Sequence, residues 1–119
     1  MKKILLLLMM FVVISVPSFA TNWKYLLTDI RGNVVYVDKD NIRYYKGYAD
    51  VWGKRISRDG TWSVELFRIT TDKRFSILSF IEYNKYGDVI KCQDKSYNSY
   101  WRIPPDSMIE GMYIAVYYS

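Results

Sequence analysis

The residues that could perform chemistry in this 119-residue chain are carboxylates and one cysteine, because histidine is absent. Without histidine the chain lacks the commonest general base, the usual partner of Ser and Cys nucleophiles, and the commonest transition-metal ligand. Most of its acidic residues stand beside predicted turns, where such residues usually form or cap the turn. The segment 38–41 lacks the following glycine and the distal glutamate of a calcium loop. The candidate carboxylates are Asp38, Asp40, Asp59, Glu65, Glu82 and Asp88. We expect no catalytic residue, no metal site, no cofactor and no enzyme activity.

Aromatic and basic side chains favour binding instead. Three tyrosines flank a Lys-Gly pair at a predicted hairpin tip, and three bases follow at the end of the next predicted strand. Tyrosine and arginine are residue types that carry much of the binding energy in protein interfaces. The predicted binding surface, for a protein or glycan partner, consists of Tyr44, Tyr45, Tyr48, Lys54, Arg55 and Arg58. In the alternative interpretation, half of these tyrosines alternate into the core and the charges guard a strand edge.

The first twenty residues have the pattern of an export signal. Two lysines precede an apolar run over residues 4–16, and a proline and the triplet Ser18-Phe19-Ala20 follow. Small residues occupy the two positions that a signal peptidase reads. The apolar run is shorter than the roughly 20 residues that span a bilayer. We predict cleavage between Ala20 and Thr21, a single domain over residues 21–119, and membrane contact only during export. Because Thr21 stands where acylation requires cysteine, we expect a periplasmic, surface or secreted protein without a lipid anchor.

The predicted mature chain carries 15 basic and 12 acidic residues, a net charge of +3. The signs alternate along the chain and form no basic block of the kind that neutralises many phosphates, so we expect no nucleic-acid partner. Cys92 cannot form an internal disulfide because it is the only cysteine. It is either a free thiol or the site of an intermolecular disulfide.

Alternating apolar residues and turn signals predict an α+β fold, an antiparallel β-sheet meander of about six strands with a C-terminal α-helix packed on it. An Asp-Gly pair, Asp59-Gly60, is typical of two-residue hairpins. Ser107 and Glu110 form a capping box, and apolar residues recur at helical spacing after it. The alternative for residues 113–118 is a terminal strand. The predicted strands cover residues 23–28, 34–38, 43–45, 48–57, 61–71, 74–83 and 89–92.

The predicted strand 74–83 is apolar on both faces. Phe75, Ile77 and Ile81 would share one face, and Leu78 and Phe80 the other. A sheet with one solvated face usually alternates cleanly between apolar and polar residues. Something therefore covers part of each face, either a helix or a second copy of the chain, and a homodimer is one hypothesis.

The order of features resembles the bacterial surface-adhesin protein E family of small exported domains. The matching segments extend over nearly the whole predicted mature chain. In chain order they are Trp23, Val35-Tyr36-Val37-Asp38, Asn41-Ile42, Val51-Trp52-Gly53-Lys54, Glu65-Leu66, Ile81-Glu82-Tyr83-Asn84-Lys85-Tyr86-Gly87-Asp88-Val89-Ile90 and Trp101-Arg102-Ile103-Pro104-Pro105-Asp106-Ser107. Family members commonly carry two cysteines where this chain has Ile69-Thr70-Thr71 and Val116-Tyr117-Tyr118, and Pro-Gly-Ser where it has Pro105-Asp106-Ser107.

The resemblance implies a non-catalytic, exported interaction module that binds a host or cell-envelope macromolecule, such as extracellular matrix. It supplies no catalytic residues. The missing cysteines imply that this chain lacks the staple between sheet and helix. The alternative function is a periplasmic structural, stress-related or enzyme-inhibitor domain whose ligand is unknown.

Overall fold

The computed structural model describes residues 22–94 and 99–118. The predicted signal segment and its cleavage point between Ala20 and Thr21 lie outside the described residues. Within the described residues, no helix has both the length and the apolar character needed to cross a bilayer.

The described residues form one antiparallel sheet and one α-helix, which confirms the predicted α+β class. The strands pair in the order β1-β2-β4-β5-β6-β7, while β3 pairs with β4 and β8 pairs with β6. A short 3-10 turn, Lys39–Asn41, separates β2 from β3. The elements are β1 Trp23–Thr28, β2 Val34–Asp38, β3 Arg43–Tyr45, β4 Tyr48–Ile56, β5 Trp62–Thr70, β6 Arg74–Tyr83, β7 Val89–Asp94, β8 Trp101–Arg102 and α1 Met108–Tyr117.

The loop between β4 and β5 is longer than the two-residue hairpin that its Asp-Gly pair predicts. The Ser57 N–H donates to the Thr61 carbonyl at 2.8 Å, and the Gly60 N–H donates to the Ser57 carbonyl at 3.0 Å. This pattern leaves three residues in the loop, and Gly60 takes the left-handed conformation with φ +90°. The third loop residue must be left-handed in this hairpin type, which favours glycine. A three-residue loop agrees with the predicted strand bounds 48–57 and 61–71, although the Asp-Gly pair is more typical of a two-residue loop.

The helix α1 packs on one face of the sheet, here called the inner face. Along β4 and β5, every second residue is buried against it, including Val51, Phe67 and Ile69. Met112, which is fully buried, fills the space that Gly53 leaves by having no side chain. The helix thus closes a single apolar core between itself and the inner face.

The predicted capping box begins the helix. The Glu110 N–H donates to the Ser107 hydroxyl at 3.1 Å, and the Glu110 carboxylate accepts from the Asp106 N–H at 3.1 Å. These bonds satisfy backbone donors that the first helical turn leaves free. The structure therefore confirms a helix here, and the alternative of a strand over residues 113–118 was wrong.

A β-bulge in β6 changes which of its side chains share a face. Phe67 pairs with Ile77, but Leu66 pairs with Ser79, so Leu78 is an extra residue with no partner on β5. Beyond the bulge Phe80 lies opposite Glu65, on the inner face with Ile77, whereas Ile81 lies on the opposite face. The predicted grouping of Ile81 with Phe75 and Ile77 was therefore wrong, because strict alternation does not survive a bulge.

Candidate functional site

The second face of the sheet, here called the outer face, carries aromatic side chains that no described helix or strand covers. Residues that alternate with the buried inner-face positions are only half-buried along β4 and β5. Strand pairing aligns them across the sheet, with Tyr25 opposite Tyr36, Tyr36 opposite Lys54, and Trp62 opposite Tyr83. We call the following group the aromatic face: Trp23, Tyr25, Tyr36, Trp52, Lys54, Trp62 and Tyr83.

Lys54 is the cation of the aromatic face. Its ammonium lies 4.7 Å from the ring centre of Trp62 and 5.9 Å from that of Trp23. None of the ion pairs found among the described residues includes Lys54. An ammonium over an indole is attracted to the negative ring face by about 0.5–2 kcal/mol. The rings therefore hold this charge in place without neutralising it.

The rings of the aromatic face also pack on one another. Trp62 stacks on Tyr83 with ring centres 3.9 Å apart and planes inclined by 13°. Tyr25 meets Tyr36 edge to face at 6.2 Å, and the Tyr25 hydroxyl lies 2.9 Å from the Thr28 hydroxyl. Tyr83 and Lys54 therefore contact Trp62 from the two strands that flank β5.

The other end of the outer face carries a neutralised charge. The Arg68 guanidinium donates to both carboxylate oxygens of Asp50, at 2.8 and 3.0 Å, and lies 4.4 Å from the ring centre of Tyr48. The hydrogen bonds to Asp50 raise the pKa of Arg68 further above its usual value. Tyr45 stacks on Tyr48 at 4.8 Å. This end of the face is therefore internally paired, in contrast to the surroundings of Lys54.

The six residues predicted as a binding surface do not form one surface. Tyr45, Tyr48 and Lys54 lie on the outer face, but Tyr48 and Lys54 are six residues apart on β4, about 20 Å. Tyr44 and Arg55 lie on the inner side, because consecutive strand residues point to opposite faces. There the Tyr44 hydroxyl donates to the Val116 carbonyl, and Arg55 pairs with Glu65 at 3.3 Å. Arg58 stands in the loop after β4, against Gly32.

Most of the aromatic face was missed by sequence reasoning, which focused on the tyrosines near the hairpin tip. Trp52, Lys54 and Trp62 were all visible in the sequence, and the alternation along β4 already places Trp52 and Lys54 on one face. What the sequence did not provide is the strand register, which brings Trp62 and Tyr83 beside them.

Among the candidate carboxylates named from the sequence, Glu65 combines burial with a raised pKa. It is 6% exposed, its pKa is raised by burial, and the nearby Arg55 guanidinium and Ser63 hydroxyl oppose that rise. A cavity of about 10 Å³ beside it, lined also by Met108 and Met112, has room for about one water molecule. No group of three or more potential metal-binding side chains occurs in the described part of the chain.

No protein-family model, no curated protein and no solved structure matches this chain.

Proposed function

We propose that this protein is an exported, non-catalytic interaction module resembling surface-adhesin protein E, and that it binds a host or cell-envelope macromolecule. The observation that supports this function is the aromatic face, which lies on the side of the sheet away from α1. Its rings are half-buried apart from the exposed Tyr25, and aromatic surface that no other part of the fold covers commonly marks an interaction site.

The residue types of the aromatic face support binding to a macromolecule. Tryptophan and tyrosine lose little conformational entropy on binding and bury large areas, so they are over-represented among residues that dominate binding energy. The face holds Trp23, Trp52 and Trp62 on three different strands. These strands are tied together by hydrogen bonds, so a partner meets a surface that is already ordered. Preorganisation of this kind lowers the entropic cost of association.

The test is binding of the purified chain 21–119 to immobilised collagen, fibronectin, peptidoglycan and acidic polysaccharide. We expect binding to at least one of them, and a Trp62→Ala variant should bind it at least about tenfold more weakly, because large interface aromatics commonly contribute 2 kcal/mol or more. Trp101→Ala is the matched control, since Trp101 is an exposed tryptophan that pairs with Phe75 on β6, away from the aromatic face. Equal binding by Trp62→Ala and the unchanged chain would contradict the proposal.

A further inference from the structure

We infer that the ligand of the aromatic face is an extended carboxylated polysaccharide, a chain of uronic acid sugars lying across the strands with one carboxylate on Lys54. This inference rests on the proposed function and specifies the chemistry of its partner.

The positive charge of Lys54 on the aromatic face favours a partner that carries a negative group. Lys54 forms no ion pair among the described residues, and its ammonium lies against the rings of Trp62 and Trp23. The nearest outer-face carboxylate along β2, Asp38, is 1% exposed and accepts the Asn41 side-chain amide on both oxygens, at 3.1 and 3.0 Å. A carboxylate that reaches Lys54 would form a charge-assisted hydrogen bond with no competing acid beside it.

The spacing of cations on the outer face indicates a ligand of low charge density. Arg43 lies on β3 opposite Asp50, and Asp50 is four residues before Lys54 on β4, so the backbones of Arg43 and Lys54 are about 14 Å apart. Arg68 lies on the other side of Asp50, level with Arg43, and is neutralised by Asp50. Arg74, which pairs with Asp72, and Arg102 opposite it lie farther still from Lys54. Nucleic acids bind through many closely spaced cations, and anionic membranes are recognised by basic clusters. Heavily sulfated glycans, which carry closely spaced negative charges, also bind clustered cations. A uronic acid chain carries only one carboxylate per sugar, so it can bind a surface with widely spaced cations.

The shape of the face fits a chain of sugars. Tyr25, Tyr36, Lys54, Trp62 and Tyr83 stand on five neighbouring strands, which span about 19 Å at the usual strand spacing. The half-buried Trp62 and Tyr83 stack on each other, and Lys54 lies against the Trp62 ring. Indole N–H and phenol groups can hydrogen-bond to sugar hydroxyls, and the aromatic bodies between them can contact the apolar C–H faces of the sugar rings.

The test is calorimetric titration of the chain 21–119 with hexagalacturonate at low salt, beside a neutral glucose hexamer of the same length. We expect saturable binding of the acidic hexamer only. Lys54→Gln should weaken it about tenfold, which is the lower end for loss of a charge-assisted hydrogen bond. Lys24→Gln is the matched control, because Lys24 lies opposite Val37, on the other face of the sheet. Both substitutions alter exposed or half-exposed side chains, so both variants should fold, and circular dichroism checks this.

Several binding results would overturn the inference. They are equal binding of the neutral hexamer, unchanged binding by Lys54→Gln, equally tight binding of poly-glutamate, and tighter binding of heparin than of hexagalacturonate. A dimer in sedimentation that dissociates on Trp62→Ala substitution would identify a second copy as the occupant and would also overturn it. Failure with hexagalacturonate alongside Trp62-dependent binding to collagen, fibronectin or peptidoglycan would overturn only this inference, leaving the proposed function standing.

Discussion

Glu65 shows how one residue can work against the stability of its own fold. Its carboxylate lies under the start of α1, beside Met108 and Met112. Its hydrogen-bond donors are the Arg55 guanidinium and the Ser63 hydroxyl. A buried carboxylate loses hydration, and a single ion pair often fails to restore that loss. The raised pKa of Glu65 means that the burial effect exceeds the help from Arg55 and Ser63.

The direction of the pKa shift predicts how stability depends on pH. Because the pKa of Glu65 is raised above 4.5 by folding, its protonation favours the folded state, and this contribution is lost as the pH rises through the folded pKa. We expect Glu65→Gln to increase the free energy of unfolding at pH 7 and to have little effect at pH 4. Urea denaturation at both pH values measures this, with Glu82→Gln as the control. A less stable Glu65→Gln variant at pH 7 would show that the pair with Arg55 outweighs the cost of burial.

The alternation of side chains along a strand explains which relations between site residues could be predicted from the sequence. Lys54 and Arg55 are consecutive, so they had to point to opposite faces once β4 was accepted as a strand. The sequence alone could not say which of the two alternating sets of β4 residues faces α1, since both sets include apolar residues. Tyr44 illustrates this, because its hydroxyl binds the last turn of α1 and its ring meets Tyr117 edge to face.

At the scale of elements, most strands and the helix were predicted to within about a residue, but β7 extends two residues beyond its predicted end and β8 was not predicted. The strand predicted over residues 61–71 is one residue shorter at each end in the structure, Trp62–Thr70, and β1 and β2 match their predicted bounds. Hydrophobic alternation predicts the strands, and the capping box predicts the start of the helix. Three-residue loops and the bulge at Leu78 depend on hydrogen bonds between strands, which a local pattern does not contain.

The docking of α1 depends on Met112 more than on any exposed residue of the helix. Met112 is fully buried against Gly53 and Phe67, while Ile114 on the same helix is 50% exposed. We expect Met112→Ala to lower the free energy of unfolding by about 2–5 kcal/mol, because it leaves a cavity in the core. Ile114→Ala should change it by about 0.5 kcal/mol or less. Equal losses in urea denaturation would mean that the contact with the sheet does not depend on Met112.

At the scale of the whole molecule, the export prediction has a direct mass-spectrometric test. We expect the protein recovered from cells to begin at Thr21, because the small residues before it fit the signal peptidase. Intact mass measurement of the purified native protein detects the loss of residues 1–20. A mass that retains residues 1–20 would contradict the predicted cleavage.

Protease treatment of intact cells then separates the two locations that the sequence leaves open. Cleavage on intact cells would place the domain outside and favour a host macromolecule as its partner. Protection until osmotic shock would place it in the periplasm and favour a cell-envelope partner. Fractionation with a known periplasmic protein serves as the control.

The order of the elements also has a consequence for how this chain folds. From β4 to β7 each strand pairs with the next one in the sequence, so most of the sheet can form hairpin by hairpin, with short loop closures. The core is different, because α1 follows all eight strands in the chain and yet packs on β1 and β4. A chain that emerges from an export channel amino end first can pair its strands early, but the inner face remains open until α1 arrives. During that interval both faces of the sheet expose apolar side chains, which is the period when the protein is most exposed to aggregation and proteolysis.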